Sequence, residues 1–239
     1  MSGFHPKLID LTRTVHAKTR IDLAGKRSAA RWTVPDFELE WVRDWSAGDN
    51  GSQCLWQISD HFGTHVDAPI HTVPATHDVS QMDLNRLFGE AVVLDCTFAR
   101  GRGLGAGEFE QAGALVRPGD IVLIYSGEPI GSLEAYVTDQ TYVTTDGAQW
   151  LVDHGVVCVG VEASSFEHVY DRLVRNDSYR RDVEDPWPAH RVCLSQEVYI
   201  IEGLTNLDEI AGERVNFCAL PLPVPGGSGS PVRAVAWRP

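Results

Sequence analysis

The sequence predicts an α/β fold whose strands run in mixed directions. Three observations carry this. The runs EAVVLDCTF (90–98), RPGDIVLIYSG (117–127) and VVCVGVEASS (156–165) are nearly continuous and β-branched, the pattern of strands buried on both faces. Helical patterns with their own start and stop signals stand between them. The β content is high and several connections are short, which favours antiparallel neighbours beside parallel ones.

The elements follow in order. LIDLTRTV (8–15) alternates and reads as a short strand. Residues 20–50 read as irregular and contain WTVPDFELEWVRDW. Its Trp32, Trp41 and Trp45 suit an aromatic cover over a core or a dimer contact, or else the wall of a substrate pocket. LWQIS is a strand leading into a histidine cluster. GAGEFEQAGAL (105–115) reads as a helix. TTDGAQWLVDHG (144–155) is a helix that starts on Thr144 or Thr145 and stops at Gly155. PWPAHRVCLSQ is a short helix before the strand VYIIEGL. The tail FCALPLPVPGGSGSPVRAVAW holds a strand, a Gly-rich loop and a final strand. No internal repeat or linker divides the chain, so one domain over 1–239 is expected.

Composition narrows the function. The chain is 43% hydrophobic and 22% charged, as a globular protein is. Its 20 basic and 33 acidic residues leave a formal charge of −13, and no basic run exists to neutralise phosphates. Nucleic acid is therefore not an expected partner, whereas cations are favoured near the surface. No 18-residue apolar run suggests a membrane helix, and MSGFHPKLIDLTR lacks the apolar core of a signal peptide. Cys54, Cys96, Cys158, Cys193 and Cys218 have no CxxC spacing, which points to reduced thiols in a cytoplasmic compartment.

The chemistry concentrates in ISDHFGTHVDAPIH (58–71). His61, His65, Asp67 and His71 share odd numbers, while Phe62, Val66, Ala68 and Ile70 take the even ones. Gly63 and Pro69 argue against a helix, and alternation argues for an extended chain. His65 and Asp67 then share one face. A flat strand cannot gather all four. At about 3.3 Å per residue, His61 and His71 would stand roughly 33 Å apart, and metal bonds are only about 2 Å long. Bends at Gly63 and Pro69 are therefore expected on either side of a short extended core near 65–67, with Gly63 leaving room for an ion and substrate. Histidine and aspartate are ligands for zinc, manganese and related metals. His190 and Glu202 are the candidates from elsewhere in the chain, Glu202 emerging from a sheet edge at the end of VYII.

HFGTHVDAPIH resembles the HxGTHxDxPxH signature of the metal-dependent cyclase superfamily, which includes bacterial kynurenine formamidases, isatin hydrolases, and some lactone and lactam hydrolases. FGEAVVLDCTF, RPGDIVLIYSG, QWLVDHGVVCVGVEASSFEH, AHRVCLSQEVYIIEGLTNLDEI and ALPLPVPGGSGSPVRAVA continue the resemblance in the same order, over roughly residues 8–237. The resemblance implies a swivelling β/β/α-type domain with a mixed, barrel-like central sheet, usually in a homodimer or higher homo-oligomer. It implies His61, His65 and Asp67 as ligands of a first ion, His190 and Glu202 as the completion of a two-ion site bridged by Asp67, and His71 as the catalytic histidine. One or two divalent ions, Zn²⁺ or Mn²⁺, are implied per chain. The sequence departs at Ser126 and Glu128, where many members have Thr-Gly-Trp, and at Glu162, where many have Asp. Glu202 stands where isatin hydrolases typically carry Gln, which leans toward the formamidase arrangement.

The expected activity is hydrolysis of an amide, formamide or lactam C–N bond in a small, aromatic substrate. His71 would serve as proton acceptor and donor, and Trp56 and Trp32 would shape the pocket. A lactone or ester hydrolase or a cyclase on the same site is the nearest alternative. A metal-binding protein without catalysis is the alternative from another class.

Overall fold

The three β-branched runs lie side by side at the centre of a nine-stranded sheet. A computed structural model describes residues 6–16, 37–128, 140–167 and 187–239. Its strands are β1 (Ile9–Asp10), β2 (Glu38–Arg43), β3 (Gln53–Gln57), β4 (His65–Asp67), β5 (Phe88–Asp95), β6 (Gly103–Leu104), β7 (Ile121–Tyr125), β8 (Tyr142–Val143), β9 (Cys158–Val161), β10 (Tyr199–Glu202), β11 (Arg214–Cys218), β12 (Gly229–Pro231) and β13 (Val235–Trp237). The described helices of at least two turns are α1 (Ala106–Ala112), α2 (Thr145–Asp153) and α3 (Pro188–Ser195).

The large sheet runs β1-β13-β11-β5-β7-β9-β10-β4-β12. Neighbours from β5 through β7 and β9 to β10 are parallel, and the flanking pairs are antiparallel. This is the mixed α/β sheet expected. It also curls. Just past β1, on one edge, Leu11 accepts from Thr205 N–H at 3.1 Å and Thr12 bridges Leu204, beyond the end of β10. The sheet is thus rolled into a partial barrel.

The roll explains why the central strands are apolar at every position. Ala91, Val93, Ile121, Leu123 and Ile201 face the inside of the curl, where Leu11 and Phe217 also pack. Val92, Leu94, Val122, Ile124 and Ile200 face the other way, under Phe109 of α1, Leu151 of α2 and Leu194 of α3. Both faces are dry, so alternation has no polar phase to show. Helix α2 begins where its sequence predicts: Thr144 Oγ1 accepts from Gly147 N–H at 3.3 Å, and Gly155 beyond its end has φ of 69°.

Two expectations need correction. Residues 38–43 are not irregular; β2 pairs with β3 as a separate two-stranded ribbon with a bulge between Trp41 and Arg43. The period-2 pattern was present in Phe37, Leu39 and Trp41 against Glu38 and Glu40. Glu202 does not emerge from a sheet edge either, because β10 lies between β9 and β4. The departures at 126–128 and 162 form one buried turn. Glu162 Oε2 accepts the N–H groups of Ser126 and Gly127 at 2.8 Å each and closes the end of β7. Among the described residues, no helix is long and apolar enough to cross a membrane.

Candidate metal centre

The odd-numbered face of 58–71 is real but short. In β4, Val66 points into the barrel core, so His65 and Asp67 point to the helix-bearing side. Across the ladder His65 pairs with Glu202 and Asp67 with Ile200, which puts Glu202 on that same side. Gly63 turns the chain before β4 with φ of 68°. After β4, Pro69 opens a single 3-10 turn that carries His71 back toward His61. The two rings lie 4.1 Å apart between centroids. The bends therefore stand where the length argument requires them. The reason for Gly63 differs from the expected one. A Cβ there would meet Val15 Cγ1 at 2.8 Å, so the missing side chain admits the chain that follows β1, not an ion.

Two buried carboxylates face three imidazoles. Asp67 Oδ1 lies 2.7 Å from His61 Nδ1 and 3.4 Å from His65 Nε2. Glu202 Oε2 lies 3.4 Å from the same His65 nitrogen. On the other side, His190 Nε2, from the first turn of α3, lies 3.2 Å from Glu202 Oε1 and 3.5 Å from Asp67 Oδ2. One oxygen of each carboxylate thus faces His65, and the other faces His190.

Each imidazole is held by its outer nitrogen. His65 Nδ1 donates to the Gly63 carbonyl at 3.0 Å. His190 Nδ1 donates to Glu167 Oε2 at 2.9 Å. Ser228 Oγ spends its one proton on Asp60 Oδ2 at 2.7 Å, so at 2.8 Å it accepts from His61 Nε2. Gly229 leaves the clearance for that ring, since a Cβ there would meet His61 Cε1 at 2.9 Å. All three rings therefore aim their second nitrogen at Asp67 or Glu202, the arrangement that outer partners impose on metal-bound histidines.

The site fits a divalent cation on two observations. Asp67 Oδ2 is buried and has no hydrogen-bond partner among the described residues, a costly state for a carboxylate without a cation. The donors are imidazole nitrogens and carboxylate oxygens, the set that suits zinc or manganese. Ligand atoms of His65, Asp67 and Glu202 lie within 4.8 Å of one another, as do those of His61, Asp67 and His71.

The charges respond to this crowding. Burial alone would push the His65 imidazole down, but hydrogen bonding and attraction to Asp67, then Glu202, carry it up to about 9. His190 is raised in the same way by Asp67, Glu167 and Glu202 against its burial. Asp67 is held well below the usual carboxylate range, because the surrounding histidines outweigh its burial. His71 goes the other way. Burial first, and then the neighbouring histidines, lower it to about 4 against the pull of Asp67. The ordinary value of a histidine is near 6.5, so burial and, after it, the crowd of imidazoles account for the difference.

Trp56 is 65% exposed on the ribbon, and among the described residues its ring meets Phe37, which lies against Phe62. Trp32 lies outside the described residues. Trp187, which the sequence reading did not single out, stands nearer, 5.3 Å from the His190 ring and 6.4 Å from that of His71. Asp60, Ser228 and Glu167 were also missed. Ser228 is 167 positions from His61 and Glu167 is 23 from His190, so no local spacing ties them to the cluster.

Residues 9–168 match the family described as "Putative cyclase". The chain is 28% identical over 201 residues to the kynurenine formamidase of Geobacillus thermodenitrificans, covering 83% of this chain and 87% of the relative. It is 29% identical over 235 residues to that of Salinibacter ruber, covering 95% and 96%. An isatin hydrolase bound to the product analogue thioisatinate shares the fold with a TM-score of 0.80, at 21% identity over 98% of this chain and 92% of that one. A chain whose matched residues span the signature, the sheet centre and the turn at Glu162 belongs to the cyclase family.

Proposed function

We propose that the protein is a metal-dependent hydrolase that opens the amide, formamide or lactam C–N bond of a small aromatic substrate. One observation carries the reading: three histidines, each fixed by its outer nitrogen, converge on two buried carboxylates. In this reading His61, His65 and Asp67 would hold one divalent ion, Zn²⁺ or Mn²⁺, and His190 and Glu202 would hold a second beside Asp67. When bound, such ions lower the pKa of water and stabilise negative charge on a carbonyl oxygen.

The chain's own residues supply the rest. His71, half-buried beside His61 and His190 and outside the ligand set of this reading, accepts a proton from the attacking water. It then returns that proton to the leaving nitrogen. Trp187 offers a flat apolar surface beside His71 for an aromatic ring. Glu167, Gly63 and the Asp60–Ser228 pair hold the imidazoles in place.

Formylated aromatic amines rank first as substrates, because the kynurenine formamidases align with this chain along most of its length. Leu39, Trp41, Val42, Leu55 and Trp56, all exposed on a ribbon too small to stand alone, support a homo-oligomer. Five unpaired cysteines support a reducing, cytoplasmic setting. The test is a side-by-side assay of N-formylkynurenine, isatin and an unsaturated lactone with zinc- or manganese-loaded protein. Turnover of a C–N substrate is expected to exceed that of the lactone. Preference for the lactone would overturn the assignment.

A further inference from the structure

Glu167 closes the short turn that follows β9, and the functional reading above gives it no ligand role. It is buried, and its two oxygens have separate tasks. Oε1 accepts the Ala189 N–H, one of the free donors in the first turn of α3. Oε2 accepts from His190 Nδ1 at 2.9 Å. The preceding residue acts on the same side of the centre. Phe166 N–H donates to Glu202 Oε1 at 2.6 Å, and the Phe166 ring stands edge-on to the His190 ring at 5.5 Å. One turn therefore orients both His190 and the Glu202 oxygen that faces it.

The three imidazoles differ in what holds them. His65 has a backbone carbonyl and His61 a serine hydroxyl. Among these three, His190 has a carboxylate hydrogen-bonded directly to its outer nitrogen, whereas the nearest one to His61 Nε2, Asp60 Oδ2, stands 3.8 Å away and is linked to it through Ser228 Oγ. A carboxylate is the stronger acceptor, fixes the Nδ1–H tautomer and makes the opposite nitrogen a better donor to a cation.

We propose that Glu167 is the positioning residue of the His190 side of the centre, setting the affinity of the second ion while leaving the His61–His65 side unaffected. This rests on the two-ion reading. Glutamine at 167 keeps the shape but replaces one acceptor oxygen with a donor, so Ala189 N–H and His190 Nδ1–H can no longer each have an oxygen.

The experiment is zinc binding, by chelator competition, to the full-length wild type, Glu167→Gln and His190→Ala. Wild type is expected to take two ions. His190→Ala should lose one, and Glu167→Gln should weaken that same ion about 10–100-fold with the other unchanged. If His190→Ala loses an ion and Glu167→Gln binds both as wild type does, the role of Glu167 is refuted and the two-ion reading stands. If His190→Ala binds zinc as wild type does, the two-ion reading itself falls, and the proposal with it. A long-range ¹H–¹⁵N spectrum of zinc-loaded wild type, with His190 assigned by His190→Gln, tests the claim even if Glu167→Gln does not fold. Protonated Nδ1 is expected, and an unprotonated Nδ1 would refute it.

Discussion

The metal centre and the β2–β3 ribbon are both built on extended chain, and they are held in opposite ways. At the centre, His65, Asp67, His190 and Glu202 are all buried. A backbone ladder on both sides of β4 fixes the direction of His65 and Asp67 and sets Glu202 of β10 opposite His65, while His190 is held from α3 by Glu167. In the ribbon every residue of β2 is exposed, as is Trp56 of β3, and the contacts described at its base are those of Phe37 with Trp56 and Phe62. Placing charge in a dry interior is tolerable only where partners are fixed, so the centre admits almost no substitution. An exposed ribbon has no such demand. In the proposed function the first region carries the chemistry and the second serves recognition or assembly.

The sharpest way to break that contrast is His71→Ala. It is expected to keep its bound ions and lose about 10²–10⁴-fold in kcat, the usual share of an acid–base group. Elemental analysis beside the kinetics checks both halves. Loss of metal as well would make His71 a ligand, which its place within 4.8 Å of His61 and Asp67 ligand atoms allows sterically.

A proton-coupled test follows from His65. Its pKa of about 9 in the ion-free chain means that it is protonated near neutral pH. That raised value adds stability which is complete below the unfolded value of about 6.5 and is lost as pH rises through about 9. Zinc needs the neutral ring. Zinc uptake near neutral pH should therefore release protons, and apparent affinity should climb with pH toward 9. Calorimetric titration in buffers of different ionisation enthalpy measures the release; none at all would contradict the site.

The smallest effects separate the aromatics. Trp187→Ala is expected to raise KM for an aromatic substrate roughly 2–10-fold, the worth of one ring contact. Trp56→Ser should change stability by no more than about 0.5 kcal/mol and act, if at all, on the sedimentation coefficient. The reverse pattern would move the pocket to the ribbon.

Much of this was readable before any coordinates. Parity put His65 and Asp67 on one face, and chain length alone demanded the bends now seen at Gly63 and Pro69. The β-branched runs gave the parallel centre because strands dry on both faces leave that trace. What escaped had no local signature. Glu167 and Ser228 meet their histidines only through the fold. Strand β2 was hidden because its alternation follows Pro35 and sits among acids and tryptophans that read as loop. The curl of the sheet depends on how Leu11 and Thr12 meet Leu204 and Thr205, a contact that spans nearly the whole chain.

The central claim is that Asp67 and Glu202, set among three histidines, hold the ions on which turnover depends. The direct measurement strips the protein with chelator, follows hydrolysis of N-formylkynurenine and of isatin, and adds back Zn²⁺ or Mn²⁺ in measured steps. The account predicts that the stripped chain is inactive and that turnover of one of the two substrates returns in step with bound metal. Undiminished turnover in the stripped chain would contradict it.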